Sequence, residues 1–299
     1  MGEVVGCGLV AHVPTVMLPE TVRHELNKGR DYSVVAGFNR LREEVLATLD
    51  YDLVVVLDSH WFTTVEFVVT AHAHRRGKFT SDELPRGMSQ VPYDVPGDPE
   101  FARAVAANGA GQGTWITAIE DPCLPIHYAT VNPLTYLQKG SEAWVSMSCC
   151  QTAESDDFLR AGRALGAAIA ACDRRVVLLA SGAMSHRFWP LSKLRAHEAA
   201  DIEHIFTPDH AAADLERIEW MKAGDHARIL ATMPAFLRFK PEANFGHYLM
   251  MAAALGGETW RAPGVLYSDY ENAIGTGQVH VWFERPTWRG VRARVESHP

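Results

Sequence analysis

A chain of 299 residues, 47% hydrophobic and 21% charged, has the apolar content for a full-sized core and the composition of an ordinary globular protein. Its formal net charge of -8 argues against nucleic acid or an anionic membrane as a partner, since both call for a basic face. No apolar run approaches the roughly 20 residues that span a bilayer, and Met1 to Val10 lacks the basic start of a secretion signal. Five cysteines without regular spacing suit reduced thiols in a cytoplasm.

The first apolar run, Val4 to His12 (VVGCGLVAH), reads as a strand buried on both faces that ends on an imidazole, with Pro14 stopping it just beyond. Tyr32 to Leu49 carries Val34, Val35, Phe38, Leu41, Val45 and Leu49 at helical spacing. A second strand, Leu53 to His60 (LVVVLDSH), also ends on histidine. Asp58 stands two residues before His60 on the same strand face, placed to orient the ring. Val65 to Ala71 is a further strand candidate. Arg75 to Asp98, polar and containing Pro85, Pro92 and Pro96, reads as a long loop and therefore as a lid or rim.

A helix is expected from Pro99 to Ala107, stopped by Asn108-Gly109, followed by a strand at Ala143 to Ser148 and an alanine-rich helix at Asp156 to Ala171. The third strand, Arg175 to Ala180, continues through Ser181-Gly182-Ala183-Met184-Ser185 to His186. Ser192 to Met233 reads as charged helix broken at Pro208 and Gly224. A helix from about Asn244 to Leu255 and a closing strand, Val279 to Phe283, complete the chain. This alternation predicts an α/β fold: a central, largely parallel sheet flanked by helices, with additional β structure near the crevice, in a single domain over residues 1–299.

Parallel strands leave their carboxyl ends along one edge, where ligands bind, so three strands that run into histidines converge three nitrogens on one crevice. Two imidazoles call for an anionic oxygen to complete a divalent site. Glu242, in Phe239-Lys-Pro-Glu-Ala-Asn-Phe245, is the candidate. Two histidines and a carboxylate with open positions are the donor set of non-haem Fe(II) oxygenases, and also of zinc sites that activate water. His186, with Gly182 before it, and His127, in Leu124-Pro-Ile-His-Tyr128, are candidates for proton transfer near neutral pH. His72 and His74, beside Arg75-Arg76-Gly77-Lys78, read as a solvated turn. His197, His204 and His226 read as surface residues, and Gly275-Thr-Gly277-Gln278 as a tight turn.

Six strings occur in order along the chain: AHVPTVML at 11–18, LDSHW at 57–61, FTSDELP at 79–85, ASGAMSHRF at 180–188, PEAN at 241–244 and GTGQV at 275–279. Together they resemble the class III extradiol ring-cleavage dioxygenases, most closely those acting on 3,4-dihydroxyphenylacetate. The resemblance implies Fe(II) held by His12, His60 and Glu242, with His186 as the acid-base histidine and His127 matching a loop histidine of some relatives. It implies a small aromatic diol or aminophenol and O2 as substrates, a homo-oligomer, and in some relatives a separate small subunit. Trp61, Phe62 and Tyr128 then become candidates to flank a ring, and Arg187 or Lys240 to meet a substrate carboxylate. A non-catalytic binding protein on the same fold is the alternative from another class.

Overall fold

The computed structural model describes residues 1–283; residues 284–299, the end of the expected domain, lie outside the described residues. The strands are β1 (Glu3–Val10), β2 (Leu53–Thr63), β3 (Phe67–Thr70), β4 (His74–Phe79), β5 (Val91–Pro96), β6 (Ile116–Ile119), β7 (Ala143–Cys150), β8 (Arg175–Ser181), β9 (Gly264–Leu266), β10 (Glu271–Ala273), β11 (Thr276–Gln278) and β12 (Val281–Phe283). Eight of them form one sheet in the order β6-β3-β7-β2-β8-β1-β12-β9. Its centre, β7-β2-β8-β1, is parallel, whereas β3 meets β7 and β12 meets β1 antiparallel. The pairs β4-β5 and β10-β11 form two small antiparallel sheets.

The central strands read as unbroken apolar runs because helices cover both faces. Val54, Val56, Val177 and Leu179 share a core with Val34, Phe38 and Leu41 on one face, beneath helices Ser33–Arg40 and Tyr128–Leu137. Leu53, Val55, Leu57, Val176 and Leu178 turn the other way, into a core with Phe158, Leu165 and Leu249 from helices Ser155–Ala171 and Gly246–Ala254. With a period of two, each successive residue serves the opposite layer. Burying a Val or Leu side chain contributes about 1.5–3 kcal/mol, so these two layers supply most of the drive for closing the sheet.

Several expectations are corrected. The stretch read as a long loop at Arg75 to Asp98 holds the β4-β5 hairpin, paired from His74 opposite Pro96 to Phe79 opposite Val91. Solvent reaches much of this ribbon, so its residues lack the apolar alternation that marks a strand. Polar pairing across the ribbon replaces it: Asp94 lies 2.8 Å from His74 Nε2 and 3.0 Å from Arg76 Nε. The helix beginning at Pro99 runs on to Gly111, because the Asn108 amide donates back to the Ala104 carbonyl at 2.8 Å instead of ending the helix. His72 is buried, with Nε2 2.7 Å from the Asp121 carbonyl, rather than standing in a solvated turn. His226 is fully buried too, stacked on Trp260 with ring centroids 3.5 Å apart.

Candidate metal centre

His12 follows β1 by two residues, where Ala11 donates its backbone N–H to His280 Nδ1 and Asn132 Nδ2 donates to the His12 carbonyl at 2.7 Å. His60 is placed differently. Asp58 pairs with Ser148 and Phe62 with Cys149, so Ser59, His60 and Trp61 form a three-residue bulge between consecutive partners on β7. Asp58 accepts the Trp61 N–H and the Thr130 hydroxyl, both at 2.7 Å, and so braces the bulge that carries His60 instead of bonding its ring. Bulges re-aim side chains in this way.

Glu242 stands on a left-handed turn: Lys240, Ala243, Asn244 and Phe245 all have φ between 45° and 61°. Non-glycine residues rarely adopt this region, and each costs on the order of 1–3 kcal/mol, strain that collects at functional sites. Three hydrogen bonds given by backbone N–H groups help hold it. Glu242 donates to the Met184 carbonyl, His186 donates to the Lys240 carbonyl, and Ala183 donates to Glu242 Oε2 at 2.5 Å. The turn and the loop after β8 are thereby locked together.

Donor atoms of His12, His60 and Glu242 lie within 4.8 Å of one another, and His12 Nε2 is 3.3 Å from Glu242 Oε1. Ser181 decides the His12 tautomer. Its hydroxyl donates its single proton to the Ala129 carbonyl at 2.6 Å, so it must accept from His12 Nδ1 at 3.1 Å. Nε2 is then left with a lone pair directed at a carboxylate oxygen. In the neutral ring two acceptors then face each other, a pair that either a proton or a divalent ion between them relieves.

The local charges fit a position that takes a cation, whether a metal ion or, without one, a proton on His12 Nε2. Burial alone would raise Glu242, but the imidazoles of His12 and His186 hold it well below the usual carboxylate range. Burial opposes a charged His12, yet Glu242 raises it overall, while burial and His12 lower His60 towards the neutral form that ligates metals.

Two cavities meet here, sharing Glu83, His186 and Glu242 as lining residues. The outer one, about 750 Å³, is lined by Phe62, Lys78, Asp82, Tyr93 and His127 among others. An inner one of about 230 Å³ touches His12 and Tyr128. Tyr128 lies against both candidate ligand rings, its centroid 3.8 Å from that of His60 and 5.3 Å from that of His12. Its hydroxyl is 3.3 Å from Glu83 Oε2, and Glu83 Oε1 is 3.6 Å from His60 Nε2. Burial lowers His127, whose ring stacks on Trp61 with its centroid 6.2 Å from that of His60. Arg187 does not line either cavity; its guanidinium lies over Phe206, 4.1 Å from the ring centre.

Asp214 escaped the sequence reading. It is fully buried and accepts from the Ser185 N–H (3.0 and 3.1 Å), the Ser185 hydroxyl (2.7 Å) and the Tyr270 hydroxyl (2.6 Å). Burial pushes it up to about 7 against these hydrogen bonds. The signal was there: in helix Pro208–Lys222, Asp214 falls at the helical spacing of buried Ala211, Ile218 and Met221. Ser181 carried no such signal, because its role depends on neighbours distant in the chain.

Comparison with solved structures matches this architecture to an uncharacterized protein of Escherichia coli K12, with a TM-score of 0.61 at 15% identity, covering 93% of this chain and 99% of the other. That likeness is one of fold. The family follows from the sequence: residues 6–283 match the model described as the catalytic LigB subunit of aromatic ring-opening dioxygenase, and the chain belongs to this family. Among curated relatives, the 3,4-dihydroxyphenylacetate 2,3-dioxygenase of Escherichia coli is 28% identical over 190 residues, 63% of this chain and 68% of the relative. The 2-aminophenol 1,6-dioxygenase beta subunit of a Pseudomonas species is 24% identical over 313 residues, 98% of this chain and 96% of the relative.

Proposed function

We propose that this chain is the single catalytic domain of a non-haem Fe(II) extradiol dioxygenase, opening a ring that carries two adjacent heteroatom donors. One observation carries the reading: His12, His60 and Glu242 meet at the carboxyl edge of the sheet, with His186 sharing the cavities beside them. When bound, Fe(II) would supply open positions for a chelating substrate and for O2. The two imidazoles and the carboxylate would hold it, leaving one net positive charge to attract an anionic diolate. His186, on a loop pinned to the Glu242 turn, takes the substrate proton and returns it to the reacting oxygen, a contribution of roughly 10²- to 10⁴-fold. His127 also lines the outer cavity, where it serves as a second proton-handling group. Tyr128 closes the space between the ligand rings and excludes water.

Anaerobic titration with Fe(II), followed by oxygen uptake on a panel of catechols and aminophenols, tests this reading. One equivalent of bound Fe(II) and ring opening are expected, with both lost in Glu242→Ala. His186→Phe should keep the iron and lose turnover. Stoichiometric iron without oxygen uptake on any member would overturn the enzyme reading.

The near full-length match to a beta subunit favours a second reading, in which the chain works with a separate small subunit on an aminophenol. Full activity of the purified chain alone would exclude that dependence.

A further inference from the structure

Beside the metal centre, the inner cavity of about 230 Å³ has an apolar wall formed by Val13, Pro14, Leu84, Phe188, Ala273 and Ile274. Among the described residues that line it there is no lysine or arginine, and besides Glu242, the candidate metal ligand, its one acidic side chain is Glu83. The cations that a carboxylate-bearing substrate would look for lie elsewhere: Arg187 covers Phe206, and Lys78 lines the outer cavity. The polar side chains of this wall are turned on each other. Gln278 Nε2 donates to Thr276 Oγ1 at 2.7 Å, and that hydroxyl donates to the Ala273 carbonyl at 2.8 Å.

Ile274 adds a second, independent observation. It sits with Gly275 at the tip of the β10-β11 hairpin, and both have positive φ, 49° and 111°. This turn asks for Asn-Gly or Gly-Gly, and a β-branched side chain at its first position is a conformational outlier. The unfavourable backbone keeps an isoleucine against the cavity where asparagine would fit the turn better. Strain retained at a cavity wall points to a use for the side chain.

We propose that the inner cavity selects an uncharged ring substituent and that Ile274 is the residue that reads it, an inference that rests on the ring-opening function above. Small uncharged catechols or 2-aminophenols are then the substrate class. With Glu242 and the diolate offsetting the charge of the metal, an acidic side arm would enter a space that holds the Glu83 carboxylate and no lysine or arginine, giving up its hydration without a partner.

The test compares 4-methylcatechol and 2-aminophenol with 3,4-dihydroxyphenylacetate and 3,4-dihydroxybenzoate, both as kcat/KM with the Fe(II)-loaded enzyme and as anaerobic dissociation constants followed by tryptophan fluorescence. The uncharged compounds should lead by at least about tenfold in both measurements. Ile274→Lys should narrow that gap by strengthening the acidic compounds. Ile274→Asn, which suits the turn, should raise Tm while weakening 4-methylcatechol. If no compound is consumed, the ring-opening reading fails and the dissociation constants still decide the charge preference. Acidic compounds bound as well as neutral ones, or an unchanged preference in both variants, would overturn the inference while leaving ring opening intact.

Discussion

Asp214 holds Ser185 by both its backbone N–H and its hydroxyl, and Ser185 is the residue immediately before His186. A buried acidic side chain on a helix thus fixes the loop that presents the proposed proton carrier. The same carboxylate takes the Tyr270 hydroxyl, which ties the loop to the strand region near β10. Asp214 is a positioning residue, acting through the backbone it anchors.

Asp214→Asn should cost about 1–3 kcal/mol at pH 5, because the neutral carboxyl has one O–H that a neighbouring hydroxyl can accept, whereas an amide turns two N–H hydrogens towards the same donors. In the fold the Asp214 pKa is raised from 3.8 to about 7, so its stabilising contribution is complete below pH 3.8 and lost as pH rises through about 7. The gap in Tm between wild type and variant is expected to shrink from pH 5 to pH 8. Thermal unfolding across that range checks it; a gap that widens with pH would refute the assignment.

Gly277→Ala attacks the same clamp from another side. A methyl group there would fall on the Asp214 carboxylate and the Tyr270 hydroxyl. Urea unfolding should show a loss of about 1–3 kcal/mol, the usual cost of overpacking. Combined with Asp214→Asn the two losses should fall short of additivity, since both break one contact set. Strict additivity would separate them.

Ser181→Ala removes the hydroxyl that fixes the His12 tautomer. Metal affinity measured anaerobically with Fe(II) is expected to fall about 10- to 100-fold, the range for losing an outer partner of a ligating histidine. The unfolding free energy of the metal-free protein should change far less. Equal affinity in variant and wild type would show that Nδ1 is held by something else.

His226 predicts a loss of stability in acid. Burial pushes it down to about 4, between the Tyr248 hydroxyl and the Ala262 carbonyl, and His280 is lowered to about 4 by the same cause. A buried neutral histidine contributes stability that is complete above its ordinary 6.5 and lost as pH falls towards 4. Urea midpoints of His226→Gln and wild type should therefore converge between pH 6.5 and pH 4. Parallel curves would mean that the ring stays neutral by other means.

Much of the centre was legible because its logic is local. An apolar run that ends on histidine announces a buried strand delivering an imidazole to the sheet edge, and this holds for His12. His60 obeyed it only through a bulge, which no residue pattern in LVVVLDSHWFT announces, since the extra residues are defined by the partner strand. The hairpin from His74 to Pro96 was hidden for the reason that makes it a hairpin: it is wet, charged and proline-bearing. His226 was misread because Trp260 and Tyr248, which enclose it, are far along the chain. Glu242 was found as a lone acid before an apolar helix. The left-handed turn that aims it was not, because Ala243-Asn244-Phe245 has no glycine to mark positive φ.

The three donors come from the end of β1, the bulge of β2 and the turn before the last long helix, so no short stretch of chain carries two of them. An ion held there recognises the assembled molecule and has nothing comparable to grip in the unfolded chain. Occupancy and native structure then become a single equilibrium. At a free ion concentration of about 100 times Kd the native state would gain about 2.7 kcal/mol, which a chelator would take away again.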